Sequence, residues 1–139
     1  ERAETLYTEV VRLDPRFGPA YARRGQLRTA RGALEPAVAD FTTALELDDT
    51  AAEAWWWRGD AHAVAGRLAA AVGDYERALA LRPDLTRARF NLAVALRQSG
   101  EAERALAEFD RVIEERPTHA AAHLNRGLIH LQTGDRTRA

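Results

Sequence analysis

The stretch AEAWWWRGDAHAVAGRLAAAVGDYERALALRPDL, residues Ala52–Leu85, decides the fold, because the rest of the chain copies it. Moved by 34 residues in either direction, it meets the same residue types in the same slots. Complete units run Gly18–Ala51, Ala52–Leu85 and Thr86–His119, with partial units at 1–17 and 120–139. In this frame Gly25, Gly59, Ala93 and Gly127 share one slot, and Gly32, Gly66, Gly100 and Gly134 another. Ala3, Ala37, Ala71, Ala105 and Ala139 form a third series, and Tyr7, Phe41, Tyr75 and Phe109 a fourth. Pro15, Pro83 and Pro117 form a fifth, which Asp49 interrupts.

Each series has a physical reason. Small residues let two helix backbones approach, and the aromatic series fills the space beside them. The second glycine series lies between helical stretches, where a left-handed residue ends a helix without a Cβ clash. Proline near the unit's end stops the second helix, and Pro19 and Pro36 sit near helix starts, where a missing N–H costs little. Between these marks apolar residues recur at helical spacing, as in Ala78, Leu79 and Leu81 after Tyr75. The unit is a helix–turn–helix, and several such units stack into a solenoid.

The residues Trp55, Gly59, Ala71, Tyr75, Ala78 and Pro83 carry a family resemblance: the chain resembles the tetratricopeptide repeat (TPR) family over essentially its whole length. The resemblance implies an all-α, right-handed solenoid of about eight helices in antiparallel pairs, with residues 1–17 as a second helix and 120–139 opening with a first helix. It also implies a protein-interaction scaffold that takes a peptide segment of a partner. Two departures stand out. Arg24, Arg58 and Arg126 occupy a slot where the family usually has leucine, and only Leu92 conforms. Glu115 replaces the leucine of Leu13, Leu47 and Leu81, which predicts looser packing at the end of that unit.

Composition narrows the function classes. A net charge of −1 gives no bulk attraction to nucleic acid or an anionic membrane. No apolar run approaches the ~20 residues of a membrane span. Cysteine is absent, which removes thiol and thiolate–metal chemistry. Every basic residue except histidine is arginine, and alanine is heavily used, the mark of a GC-rich bacterial genome. Ser99 is the single serine, beside a turn and far from any histidine in the repeat frame, and no glycine-rich phosphate loop follows a strand. Neither a catalytic centre nor a cofactor is expected. His119, His123 and His130 fall in slots that pack in other units, so they read as packing residues and not as metal ligands.

The resemblance implies that the first helices line a concave groove. Carried over slot by slot, its lining comprises Arg23, Trp56, Trp57, Arg87, Phe90, Asn91, Val94, Arg97, Leu124, Asn125 and Leu128, with Ala22, Gln26, Asp60 and Leu131 beside them. This surface is more apolar than a solvated face, as binding surfaces are. In the run Trp55–Trp57 successive residues are about 100° apart on a helix, so all three cannot enter one interface. Trp55 takes the packing slot, and Trp56 and Trp57 turn partly into the groove, as peptide contacts or as partners under arginine side chains. Asn91 and Asn125 share a slot and resemble an asparagine ladder that holds peptide backbone; Arg87 with Asn91 resembles part of a carboxylate clamp, although Arg23 and Trp57 replace asparagine in the earlier units. Arg24 and Arg58 precede Asp40 and Asp74 by 16 residues, which predicts an ion pair across the two helices of a unit.

The function expected is therefore capture of a peptide by the groove. Rival expectations are self-association through uncapped repeat ends and a substrate-recruiting arm of a larger enzyme.

Overall fold

The computed structural model describes residues 1–134, which form eight helices and no strand. In order these are α1 (Arg2–Leu13), α2 (Gly18–Ala30), α3 (Leu34–Leu47), α4 (Ala52–Val64), α5 (Leu68–Leu81), α6 (Thr86–Gln98), α7 (Ala102–Glu115) and α8 (Ala120–Gln132). The expected start of a further helix after Gly134 lies outside the described residues.

Every helix packs on its neighbours in the chain. Helices α2, α4, α6 and α8 also touch in succession, whereas α3, α5 and α7 do not touch one another. An inner layer that closes up while its outer layer spreads must curve. The concave side belongs to α2, α4, α6 and α8.

The small-residue and aromatic series build each pair. A Cβ placed on Gly59 would lie 2.8 Å from the Tyr75 ring, and one on Gly25 would lie 2.8 Å from Phe41. Ala37, Ala71 and Ala105 are fully buried, as are Phe41 and Phe109. The turn between paired helices is a Schellman motif: Gly66 has φ +78° and donates to the Ala63 carbonyl, and the Arg67 N–H reaches back to His62. Gly32, Gly100 and Gly134 have the same positive φ.

The anticipated ion pairs form. Arg24 grips Asp40 with two nitrogens at 2.9 and 2.7 Å, and Arg58 grips Asp74 at 2.8 and 2.9 Å. Arg28 adds a third bond to Asp40 at 3.0 Å, which satisfies a carboxylate that is almost fully buried. The same arginines reach back to the preceding unit, to Thr8 and Thr42. Arg126 makes the equivalent backward contact to Asp110 at 3.0 Å.

One recurring bond unites chemically unlike residues. The Tyr21 hydroxyl, the Trp55 indole N–H, an Arg89 guanidinium N–H and the His123 Nε2 each meet the carbonyl six residues earlier, at Pro15, Asp49, Pro83 and Pro117. The distances are 3.1, 2.8, 2.9 and 2.8 Å. Four side chains thus tie the start of an inner helix to the preceding loop. At Asp49 the Asp48 carboxylate accepts the Thr50 N–H at 3.0 Å and closes the turn, as Asp14 does for the Arg16 N–H beside Pro15 at 3.1 Å.

At Glu115, where the sequence predicts looser packing, the leucine of the other units is replaced by polar contacts. Its carboxylate takes the Thr86 hydroxyl at 2.5 Å and lies 3.6 Å from Arg89. The leucines of that slot are themselves partly in solvent, with Leu13 70% exposed and Leu47 38%. A carboxylate there gives up little apolar burial and gains polar partners.

Candidate binding groove

The inner helices present one face from Arg23 to Leu128, and its centre is an alternating run of cations and rings. Arg23 on α2 lies over the Trp57 ring at 5.4 Å, Trp57 meets Trp56 at 6.4 Å, and Arg87 on α6 lies over Trp56 at 5.7 Å. Three consecutive inner helices therefore contribute to one ladder. A guanidinium over an indole is held by the ring quadrupole and keeps its N–H groups free for other acceptors. Both tryptophans are half-buried: Trp57 packs on Phe41 and Ala61, and Trp56 on the larger core beside it. Trp55 points elsewhere, sandwiched by Arg58 and Arg77.

The arginines of this face differ from those between helices. Arg24, Arg28, Arg58 and Arg89 all form ion pairs. Among the described residues, Arg23, Arg87 and Arg97 form none within 4.0 Å. Arg23 donates only to neutral Gln26, at 3.0 Å, and the buried Nε of Arg97 has no partner.

Asp60 is an acid of the groove with internal partners. Its Oδ1 accepts the Tyr75 hydroxyl at 2.7 Å and the Asn91 amide at 2.9 Å. Burial pushes its carboxyl above the ordinary range, against the lowering pull of Tyr75, Asn91 and the more distant Arg87 charge. The Trp56 indole N–H adds a weaker pull without completing a hydrogen bond. Tyr75 is driven strongly upward by burial and by Asp60, so it remains a phenol and a donor. This three-residue link joins the two helices of one unit to the first helix of the next. The signal for it was an acid at a groove slot, 15 residues before an aromatic that carries a hydroxyl.

The two asparagines do not stand alike. A carboxylate can only accept, so Asn91 must turn its NH₂ to Asp60 and keep its carbonyl oxygen for the groove. Asn125 donates to the Ala121 carbonyl of its own helix at 2.8 Å. Beyond it the face is apolar: Leu124 is 63% exposed, and Leu128 and Leu131 are also exposed. Phe90 is half-buried, edge-on to Phe109 at 5.8 Å, and Val94 lies beside it.

Hollows open along this face. One of about 490 Å³, between α4 and α6, is lined by Asp60, Ala63, Val64, Tyr75, Phe90, Asn91, Val94, Ala95 and Gln98. Its counterpart one repeat earlier, about 220 Å³, reaches Asp60 from the other side, with Gln26, Phe41 and Trp57. A third, about 350 Å³, lies at the foot of α2 and α4 around Ala22, Arg23 and Trp57.

The histidines have structural surroundings. His119 caps α8, its Nδ1 accepting the Ala122 N–H at 3.1 Å, and its ring packs on Phe90. His123 holds the loop carbonyl of Pro117, and His130 is buried. Ser99 donates to the Ala95 carbonyl at the end of α6. Among the described residues, no group of three or more His, Asp and Glu side chains is placed for a metal ion, and no helix is long and apolar enough to cross a membrane.

Two tetratricopeptide repeat family models match the sequence, one over residues 16–86 and the other over 62–128. No curated protein matches it. Solved structures similar to this chain include a crystal structure of MamA, with TM-score 0.93 and 24% identity over 97% of this chain and 79% of that one. MamA from Desulfovibrio magneticus RS-1, residues 41 to the end, gives 0.93 and 19% over 99% and 77%. The first TPR of Spaghetti (RPAP3), bound to the HSP90 peptide SRMEEVD, gives 0.81 and 20% over 84% and 93%.

Proposed function

We propose that this chain, which belongs to the tetratricopeptide repeat family, holds an extended, acidic segment of a partner protein along the face formed by α2, α4, α6 and α8. The fold is that of a protein-interaction scaffold, typically a non-catalytic one. The observation that carries the finer reading is the division of the arginines. Those between helices are ion-paired, while Arg23 and Arg87, on the groove tryptophans, and Arg97 further along α6 have no carboxylate within 4.0 Å. Unpaired guanidinium groups on tryptophan faces are arranged to receive carboxylates from outside. The peptide held by the RPAP3 domain, SRMEEVD, is itself rich in carboxylates, which supports the same chemistry on this fold.

In this reading Trp56, Trp57, Phe90, Leu124 and Leu128 supply apolar contact. Asn91 offers its carbonyl to a peptide N–H, and Asn125 extends the polar line. Arg23, Arg87 and Arg97 select aspartate and glutamate. A peptide-display selection tests it, with a counter-screen against the Arg23→Gln/Arg87→Gln/Arg97→Gln variant. Enrichment of acidic peptides that the variant no longer selects is expected. Neutral or basic consensus peptides, or the same peptides on both proteins, would refute it.

A second reading is self-association, favoured by exposed leucines on two helices: Leu6 and Leu13 on α1, Leu124 and Leu131 on α8. A solution mass that rises with concentration and returns to the monomer in Leu124→Glu/Leu131→Glu supports it. A monomeric mass at every concentration rejects it.

A further inference from the structure

The hollow between α4 and α6 combines apolar walls with the polar groups of Asp60 and Asn91, and with Tyr75 and Gln98 also in its lining. Ala63, Val64, Phe90, Val94 and Ala95 line it, and the Asp60 and Asn91 side chains stand in its wall. Asp60 Oδ1 is occupied twice, by Tyr75 and Asn91. No described side chain completes a hydrogen bond to Asp60 Oδ2 or to the Asn91 carbonyl oxygen, although the Trp56 indole N–H lies near enough to pull on Asp60. Neither atom is sealed from solvent. A carboxylate in such a place lacks a close cation, because Arg87 acts on it only from beyond ion-pair distance.

We propose that this hollow is a subsite for the side chain of a lysine in the bound segment, its ammonium meeting Asp60 Oδ2 and the Asn91 carbonyl. The inference rests on the reading of the groove as a peptide site. Four methylenes suit walls of valine, alanine and phenylalanine, and a compact ammonium with three donors suits two separate acceptors. Arginine fits less well. Its fork is strongest on both oxygens of a carboxylate, and Asp60 has one left. The raised proton affinity of Asp60 agrees, since a bound cation would relieve a charge that burial disfavours. The expected occupant is thus a lysine flanked by the acidic residues that the rim arginines take.

The test uses one acetylated and amidated peptide of glutamate and serine, with lysine, arginine, acetyl-lysine or norleucine at its centre. Lysine should bind about tenfold more tightly than norleucine or acetyl-lysine, and more tightly than arginine, the size expected of one charge-assisted contact. In Asp60→Asn, which still accepts from Tyr75 and Asn91, the lysine advantage should vanish, the lysine-to-norleucine affinity ratio falling to about one. Val94→Phe, which fills the hollow and leaves Asp60 intact, should also remove it. Equal binding of lysine and norleucine, or a preference for arginine, overturns the subsite and leaves the acidic-segment reading standing.

If none of the peptides binds, that reading fails, and the subsite is judged by n-pentylammonium against n-pentanol. Selective NMR shifts of the Asn91 amide and Trp56 indole signals with the ammonium, lost in Asp60→Asn, sustain it. Identical shifts with both probes reject it.

Discussion

Arg23 and Arg24 are neighbours in sequence and opposites in surroundings. Arg24 is almost enclosed between helices, with both ends of its fork on Asp40. Arg23 lies in the groove, stacked on Trp57 and bonded only to a neutral amide. A rotation of 100° about one helix separates a structural cation from one available to a ligand. The lesson is that charge type alone assigns no role; the helix face and the internal partners of a cation must be read together. The pair also divides the expected effects of mutation, with stability on one side and binding on the other.

The largest effect should fall on the structural side. Asp40→Ala leaves Arg24 and Arg28 without their shared carboxylate in a site closed to water, and should cost about 3 kcal/mol in urea unfolding. A loss below about 0.5 kcal/mol would place that network with ordinary surface pairs. Next comes the packing contrast within one unit. Gly59→Ala drives a Cβ into the Tyr75 ring and should cost about 1–3 kcal/mol. Gly73→Ala, in the same unit with open space around it, should raise the melting temperature through a gain of about 1 kcal/mol.

On the binding side Arg87→Ala should change stability by no more than about 0.5 kcal/mol, yet weaken an acidic peptide about tenfold. Raised salt should narrow that difference, because the rim charges are screened. The smallest effect concerns His62. Burial lowers its pKa, with Asp74 opposing. The unfolded chain therefore takes up a proton first as acid is added. Stability present above about pH 6.5 is lost as pH falls from there toward the folded-state value. His62→Gln should flatten the dependence between about pH 5 and 7; an unchanged slope in unfolding midpoints would assign it to other groups.

The solenoid was legible because its determinants are small sets of residue types at fixed offsets. Gly59 against Tyr75 and the turn at Gly66 need only size and backbone freedom, which a sequence displays directly. The Arg–Asp pairs were legible for the same reason, since the 16-residue offset recurs. The ties to the loop carbonyls at Pro15, Asp49, Pro83 and Pro117 were not, because tyrosine, tryptophan, arginine and histidine share no pattern except a donor at the right reach. The polar partners of Glu115 were not legible, because the sequence does not show that its slot is partly in solvent, with Leu13 mostly in water.

Of the groove, the lining residues could be named from the repeat frame, but their partners could not. Asp60 acquires its role from Tyr75 on another helix and Asn91 on the next unit, a convergence that no single helix spells out. The frame also makes Asn91 and Asn125 look equivalent. Asp60 turns one amide toward its neighbour, while the other bonds its own helix.

The most direct test is calorimetric titration of an acidic peptide enriched on this chain into Arg23→Ala and Arg24→Ala, each well below its melting temperature. The account predicts that Arg23→Ala loses about tenfold in affinity with little change in melting temperature. Arg24→Ala should melt earlier and bind as the parent does. Equal affinities in the parent and Arg23→Ala, or a binding loss confined to Arg24→Ala, would contradict the division between structural and ligand-facing arginines.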